Sequence, residues 1–216
     1  MKDTLYYYDS LNKISAQQYK EIYAILPTQI KEHISKYRFQ KDRNISTLCY
    51  GILLKKVINN YNYTELEQIF YFSKTGKPSF NVDQIDFNIS HCKGCIAVAI
   101  ATKRVGVDVE SFITYYKDIM SLVCHPNEIN KINRSKTPQK LFTIYWTLKE
   151  SFVKMIGCGI TDKLLLLDFS ESLKKKIKRT LFYGSIEKSD YIISYFSESG
   201  YLEVEKIEYE DLDLLF

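Results

Sequence analysis

The stretch Gly106-Val107-Asp108-Val109-Glu110 alternates apolar with acidic side chains. Successive side chains of a β-strand leave opposite faces of the sheet. A strand here would therefore bury Val107 and Val109 on one face. It would hold the carboxylates of Asp108 and Glu110 side by side on the other face.

A second acidic stretch, Trp146-Thr147-Leu148-Lys149-Glu150-Ser151-Phe152-Val153-Lys154, lies in the strongest predicted helix. That helix is expected to begin at Thr137-Pro138, an N-cap followed by proline at the first helical position, and to end at Gly157. Residues four apart share a helix face, so Glu150 and Lys154 would project together. If strand and helix meet, three carboxylates and an ammonium converge, a set that suits Mg²⁺ carrying a phosphate substrate.

Each of these motifs, taken singly, has an ordinary structural interpretation. Glu150 and Lys154 alone would form a surface ion pair worth about 0.3–0.5 kcal/mol. Asp108 and Glu110 alone would be the solvated face of an edge strand. A single His91 at a strand end is more often a hydrogen-bonding residue than a ligand-binding one. Only the joint occurrence of these residues favours a site.

The segment Cys92-Lys93-Gly94-Cys95 has the spacing of some metal and redox motifs. Zinc normally takes four ligands, and the further candidates are Cys124 and His125. Strands are predicted directly on both sides, unlike the βαβ setting of a thioredoxin-like motif. A zinc-binding interaction protein is therefore one alternative, and a hairpin turn between two small, half-buried residues is the other.

Composition and length limit the classes of protein to consider. The chain has 216 residues, of which 45% are hydrophobic, and its net charge is +4. This length allows one large or two small domains, and the mild charge argues against a dedicated nucleic-acid binder. The five cysteines form no disulfide framework, and no apolar run has the length of a signal peptide or membrane span. We expect a cytoplasmic protein with neither nucleic acid nor membrane as a partner.

Periodicity and turn signals predict an α+β chain. Helices are expected from Ser15 to a residue before Pro27, at Gln29–Tyr37, from Asp42 to about Asn60, from about Tyr116 to Asn133 and from Pro138 to Gly157. Strands are expected at Thr4–Tyr8, Ile69–Ser73, Asp86–Ser90, Cys95–Ala101, Arg104–Glu110, Leu164–Phe169, Thr180–Ile186, Tyr191–Phe196 and Tyr201–Ile207. Helices precede short strands in both halves of the chain, so two α+β lobes are one layout that this order allows.

Four motifs resemble, in order and spacing, the signatures of the 4′-phosphopantetheinyl transferases. Besides the two acidic stretches, they are Phe87-Asn88-Ile89-Ser90-His91 and the shorter Gly76-Lys77-Pro78. The resemblance runs from about Leu26 to Gly159. The type resembled is the larger, monomeric, surfactin-synthetase-activating one.

The resemblance implies an enzyme that transfers the 4′-phosphopantetheine arm of coenzyme A to a serine of an apo acyl or peptidyl carrier protein and releases 3′,5′-ADP. It also implies two similar α+β halves, a pseudo-dimer with the active site in the cleft between them, and a monomer in solution. We expect an N-terminal half at 1–102 that contacts the nucleotide. A C-terminal half at 103–216 would hold the metal and contact the carrier protein.

Residue roles follow from the same resemblance. Asp108, Glu110 and Glu150 would hold Mg²⁺, with Mn²⁺ as an alternative ion, against the coenzyme A pyrophosphate. Asp108, Glu150 and Lys154 form the expected catalytic set, in which Glu150 is a candidate base for the serine and Lys154 steadies the pyrophosphate. The other expected coenzyme A contacts are Lys31, Arg43, Lys77, Pro78, Ser90 and His91.

Two departures from the family pattern and two open interpretations remain. The family often has arginine at the position of Ser46, and Arg43, about one turn earlier, is the candidate replacement. Cys92 stands where the family commonly has serine.

A non-catalytic module that binds coenzyme A or a carrier protein is a further alternative, although all three acidic positions are intact. The segment Gly157–Arg179, which ends in a basic run, is a hypothetical surface for an acidic carrier protein.

Overall fold

The computed structural model describes residues 2–61, 70–72, 78–82, 84–114, 116–157, 165–171 and 181–215. Its helices are α1 (Ala16–Ile25), α2 (Thr28–Ser35), α3 (Gln40–Tyr61), α4 (Tyr116–Val123), α5 (Pro126–Arg134), α6 (Pro138–Ile156) and α7 (Tyr209–Leu215), with a short 3-10 helix at Leu11–Lys13. Its strands are β1 (Thr4–Tyr8), β2 (Phe70–Phe72), β3 (Pro78–Phe80), β4 (Asp86–His91), β5 (Ile96–Ala101), β6 (Val105–Ser111), β7 (Phe182–Glu187), β8 (Tyr191–Ser197) and β9 (Glu203–Lys206). The predicted α+β class is confirmed. No helix within the described ranges is long and apolar enough to cross a membrane.

The strands form two larger sheets and one hairpin. The first sheet has the order β4-β5-β1-β9, and the second has the order β6-β8-β7. All neighbours are antiparallel except β1 and β9, which run parallel. β2 and β3 pair separately. Strands β4 and β6, which carry the sequence motifs, are therefore edge strands of two different sheets.

The two central strands of the first sheet, β1 and β5, are buried on both faces. On β1, Tyr6 and Tyr8 belong to the core under α1–α3, whereas Leu5 and Tyr7 belong to a core between the two sheets. Strand β5 alternates in the same way, with isoleucine and valine toward the helices and three alanines toward the second sheet. A strand covered on both faces becomes continuously apolar, which explains why residues 96–101 read as Ile-Ala-Val-Ala-Ile-Ala.

Strand β6 has the predicted alternation. Val105, Val107 and Val109 are fully buried in the core between the sheets. The other face of β6 lies against α6. At Gly106 the backbone of the strand is in direct contact with the backbone of the helix. Helix α6 begins with Pro138 and ends at Gly157, which adopts the left-handed conformation, with φ of 78°. The strand and the helix therefore meet, which is the condition on which the convergence of the acidic residues depends.

The helix predicted from Tyr116 to Asn133 is instead two helices, α4 and α5. Pro126 disfavours a helical conformation in the preceding residue. His125 adopts an extended conformation and caps α5, and its ring accepts a hydrogen bond from the amide of Asn127. A capping box with Glu128 completes this start.

A strand is predicted at Leu164–Phe169. The residues of this segment that the structure describes, 165–169, do not form one. Residues 165–166 form a short helical turn, and residues 167–169 belong to no regular element. The backbone of this segment bonds to side chains rather than to a strand. The Lys149 Nζ donates to the carbonyl of Leu167, and the amide of Phe169 donates to Glu128.

The C-terminal residues return to the first sheet. The strand predicted at Tyr201–Ile207 is the shorter β9, and it pairs with β1. Ile207 and Leu212, the latter in a helix that the periodicity did not predict, lie in the core under α1–α3. The expected C-terminal half, 103–216, therefore contributes its last elements to the sheet and core of the N-terminal half.

Candidate active site

One open pocket lies where β4, β6 and α6 meet, with a volume of 360 Å³. The predicted residues Ser90, His91, Asp108, Glu110, Glu150 and Lys154 all line it, together with Ile89 and Trp146. The two carboxylates of the strand and the Glu150–Lys154 pair of the helix thus converge on one space. The first sheet supplies Ser90 and His91 to the same space.

Glycine at position 106 permits this convergence. A Cβ atom on Gly106 would lie 2.0 Å from the carbonyl oxygen of Ser151 and 2.5 Å from the amide nitrogen of Met155. Both atoms belong to the backbone of α6, so a larger residue would push the helix away from the strand. The close approach brings Glu150 and Lys154, on the adjacent helix turn, over the acidic face of β6.

A buried hydrogen-bond network joins the three elements. Lys154 Nζ donates to Asp108 Oδ1 at 2.7 Å and to Ser90 Oγ at 2.9 Å, and Ser90 Oγ donates to the same Asp108 oxygen at 2.9 Å. Asp108 is 3% exposed and Ser90 7%. A buried carboxylate is costly unless it is paired, and Lys154 provides the pairing.

The carboxylates repel one another in this setting. Desolvation and the charge of Asp108 raise the pKa of Glu110 to about 7, against the opposing effects of Lys154 and a hydrogen bond from Trp146. Desolvation and Asp108 also raise the pKa of Glu150 above its usual range. Desolvation of its ring and the charge of Lys154 lower the pKa of His91, although the residue as a whole is exposed.

The donor chemistry of the pocket fits a hard divalent cation. Oδ2 of Asp108 and Oε1 of Glu150 are buried and receive no hydrogen bond from any described residue. Oxygen atoms left in this state are costly and are suitable ligands for Mg²⁺. Within the described ranges, no three Cys, His, Asp or Glu side chains already stand at metal-binding spacing. Binding through all three carboxylates therefore requires side-chain movement.

The alternative zinc site does not form. Cys92 and Cys95 lie in the core between the sheets, whereas Cys124 lies in the separate core beneath α6. The Nδ1 atom of His125 caps α5. The two cysteines of the motif flank the Lys93-Gly94 turn between β4 and β5, as the structural interpretation of this segment predicted.

Other predicted coenzyme A contacts do not line this pocket. Lys31 Nζ donates to the carbonyl of Ala24 at 2.7 Å and lies over the ring of Tyr23. Arg43 donates to the carbonyl of Tyr37 and lines a separate 750 Å³ cavity between α1, α2 and α3. Pro78 begins β3, opposite Phe72. Lys77 and the basic run 174–179 lie outside the described residues.

A buried ion pair that the sequence pattern does not predict supports α6. Lys149 Nζ lies 2.9 Å from Glu128 Oε2, and both side chains are fully buried. Glu128 also accepts from the backbone amides of His125 and Phe169. The pair therefore ties α6, α5 and the 167–170 segment together. The only signal for it is the presence of lysine in an otherwise buried part of the motif next to Glu150.

Two adjacent family models match the chain. The model described as the 4′-phosphopantetheinyl transferase superfamily matches residues 104–203. The model described as 4′-phosphopantetheinyl transferase, N-terminal, matches residues 13–104. The junction of the two matches coincides with the passage from the first sheet to the second.

Curated relatives agree with these matches. The chain is 24% identical over 221 residues to the 4′-phosphopantetheinyl transferase gsp of Aneurinibacillus migulanus, covering 95% of this chain and 91% of that protein. It is 22% identical over 192 residues to the 4′-phosphopantetheinyl transferase Sfp of Bacillus subtilis (strain 168), covering 87% and 84%. It is 28% identical over 154 residues to the 4′-phosphopantetheinyl transferase HetI of a Nostoc species, covering 66% and 64%. With both family models and relatives matched along most of their length, the chain belongs to the 4′-phosphopantetheinyl transferase superfamily and is a transferase enzyme of its larger type.

Proposed function

We propose that this enzyme transfers the 4′-phosphopantetheine arm of coenzyme A to a serine of an apo acyl or peptidyl carrier protein. The observation that carries the proposal is the pocket shared by three carboxylates, Lys154 and the Ser90-His91 pair. A pyrophosphate needs a cation on one side and donors on the other, and the pocket offers both kinds of group.

Asp108, Glu110 and Glu150 would hold Mg²⁺, since two of them have buried oxygen atoms without hydrogen bonds. The ion would offset charge on the pyrophosphate and stabilise the charge that develops during phosphoryl transfer. Lys154 reaches the pocket from the helix and would contact the pyrophosphate oxygens. His91, at the end of β4, would contact the 3′-phosphoadenosine end. Lys31 and Arg43 lie outside this pocket and would contact coenzyme A only where it extends beyond the pocket.

In the proposed reaction, the carrier serine Oγ forms a bond to the phosphorus atom that bears the pantetheine. The bond from that phosphorus to the oxygen of 3′,5′-ADP breaks, and 3′,5′-ADP leaves. The serine proton goes to a base, for which Glu150 is the candidate, directly or through a water molecule.

We further propose a monomer that acts in the cytoplasm. The described cysteines Cys49, Cys92, Cys95 and Cys124 are all free and buried, which suits a reducing compartment. The active-site pocket is completed by elements of one chain, so a second copy is not needed to form it.

Mass spectrometry of a carrier protein tests the proposal. The enzyme is mixed with coenzyme A, Mg²⁺ and several apo carrier proteins of the acyl and peptidyl classes. We expect a mass gain of one phosphopantetheine on the carrier and its loss when EDTA is added. Mn²⁺ in place of Mg²⁺ tests the alternative ion.

The alternative to transfer is a module that only binds. Binding of coenzyme A by calorimetry, without a mass gain on any carrier at saturating Mg²⁺, would support that alternative and refute the proposed reaction. A carrier in which the modified serine is replaced by alanine serves as the control, because it offers the same surface without the attacking hydroxyl.

A further inference from the structure

The edges of the two sheets are joined by side chains. β4 and β6 are edge strands of different sheets. The amides of Val105, Val107 and Val109 on β6 donate in turn to Asp86, Asn88 and Ser90 on β4, at 2.9, 3.0 and 3.3 Å. We call these three bonds the edge ladder.

The ladder follows from the period of the two strands. Asp86, Asn88 and Ser90 are two residues apart, so they leave the same face of β4. Their acceptor oxygens meet alternate amides of β6, which an edge strand would otherwise leave without a strand partner. An amide buried without an acceptor is costly, so these polar side chains replace a neighbouring strand.

Each rung of the ladder has a different relation to the pocket. The Asp86–Val105 rung lies farthest from it, and neither residue lines the pocket. The Ser90–Val109 rung is part of the pocket itself. The Asn88–Val107 rung lies between them, and Val107 directly precedes Asp108.

Ser90 has no spare hydrogen-bonding capacity in this arrangement. Its hydroxyl accepts from Lys154 and Val109 and donates to Asp108. A hydroxyl offers one donor and two acceptor positions, so all are occupied. Contact between Ser90 and a phosphate would require one of these bonds to open, whereas Asn88, outside the pocket, keeps the two strands in register.

We propose that Asn88 is a positioning residue, whose Oδ1 atom holds the Val107 amide and thereby sets Asp108 opposite Ser90 and His91 for phosphoryl transfer. This inference rests on the proposed function of the pocket. It adds that the alignment of the two sheets depends on the Asn88 side chain, which would touch neither substrate nor metal. The placing of one ligand across both sheets depends on the same alignment. Misplacement of a reacting group by about 1 Å can cost on the order of 100-fold in rate.

Two substitutions separate the acceptor from the shape of the side chain. Asn88→Leu keeps the number and branching of the side-chain heavy atoms and removes the acceptor. Asn88→Thr keeps a neutral oxygen acceptor on the side chain, and Ser90 already shows that a hydroxyl can accept an amide of β6. Asp86→Leu is the matched control, because it removes an acceptor from the rung farthest from the pocket. If Asn88→Leu does not fold, Asn88→Ala removes the acceptor with less bulk.

The readouts are kcat and KM for coenzyme A, coenzyme A binding by calorimetry in EDTA, thermal unfolding, and hydrogen exchange at the Val107 amide. We expect Asn88→Leu to lower kcat/KM by about 10- to 100-fold, to weaken coenzyme A binding and to speed exchange at Val107. Asn88→Thr should recover all three. Asp86→Leu should lower thermal stability with kcat/KM close to that of the wild type.

Two results would overturn the inference. One is faster exchange at Val107 in Asn88→Leu with unchanged kcat/KM and unchanged coenzyme A binding, which would leave the rung with a role in stability alone. The other is a protected Val107 amide in Asn88→Thr without recovery of binding. A wild type that modifies no carrier refutes the proposed function instead, and the binding and exchange measurements then still decide whether Asn88 positions the pocket.

Discussion

The ammonium of Lys154 lies 2.7 Å from Oδ1 of Asp108, and this contact joins helix α6 to strand β6 across the pocket. Side chains from residues 46 apart in the chain thus share one partly buried hydrogen bond. Oδ2 of Asp108, the other carboxylate oxygen, accepts no hydrogen bond from a described residue. One oxygen of Asp108 is therefore neutralised within the protein, and the other remains for a cation.

Removing a pocket carboxylate should slow transfer strongly without unfolding the enzyme. Asp108→Ala and Glu150→Ala each delete an oxygen ligand and a repulsive charge, so we expect folded proteins. The rate should fall by on the order of 10²–10³-fold, as for loss of one electrostatic stabiliser. Carrier mass gain measures the rate, and Glu187→Gln, in an exposed ion pair with Lys140, is the control. Normal transfer by both alanine variants would refute the site.

Adding one methyl group at Gly106 should destabilise the protein. In Gly106→Ala the new Cβ would overlap the α6 backbone at Ser151 and Met155. Overpacking of this kind costs about 1–3 kcal/mol in unfolding free energy. Gly94→Ala is the matched control, since a Cβ there meets nothing within 4 Å. Urea denaturation compares the two. Equal stability of both variants would show that helix and strand can separate freely.

Replacing only the lysine of the buried ion pair should lower the free energy of unfolding more than replacing both residues. Lys149→Met leaves the carboxylate of Glu128 buried without its cation, a loss of about 3–5 kcal/mol. The double variant Glu128→Gln/Lys149→Met should lose less, because no charge remains. Denaturant titration measures both variants. A double variant that is less stable than Lys149→Met would contradict this expectation.

The loss of stability in Lys149→Met should depend on pH. Burial raises the pKa of Glu128 above its usual range, and Lys149 opposes that effect. Without the lysine, the folded state favours a protonated Glu128. The deficit of Lys149→Met should therefore be smallest in acid and should grow as the pH rises through the pKa that Glu128 has in the folded variant. A deficit independent of pH would be the contrary result.

The carboxylate of Asp168 should stabilise the protein in a defined pH range. Burial alone would raise its pKa, but hydrogen bonds from Ser170 and Asn127 outweigh burial and lower the pKa from 3.8 to about 2. The contribution is present above the unfolded value and is lost as the pH falls through about 2. We expect Asp168→Asn to cost about 2 kcal/mol at neutral pH, with the difference from wild type shrinking in acid. Urea titrations across the pH range would show a constant difference if the expectation is wrong.

The alternation of β6 and the rhythm of α6 could be predicted because they are local. A valine at every second position implies a strand with one buried face, and the acidic residues between must take the other. Pro138 and Gly157 set the ends of the helix through their own backbone preferences. The convergence of Asp108, Glu110, Glu150 and Lys154 followed once these two elements met.

The break between α4 and α5 had a local signal in Pro126, which the sequence analysis did not use. The segment at 167–170 had no such signal, because its backbone bonds to Lys149 and Glu128, which are distant in the chain. The pairing of β9 with β1 could not be predicted from the sequence either. An exposed four-residue strand does not indicate which edge it will join.

The sequence by itself determined the elements that carry the acidic pocket and, through its ordered motifs, the family. Short-range periodicity and steric preferences are properties of neighbouring residues, so they can be read without a structure. Only the tertiary structure decided that Ser90 is saturated by three bonds, that Asn88 accepts from Val107 across two sheets, and that Lys31 and Arg43 lie outside the pocket. These facts depend on how one sheet edge packs against another, and that packing is set by the sum of long-range contacts in the folded chain.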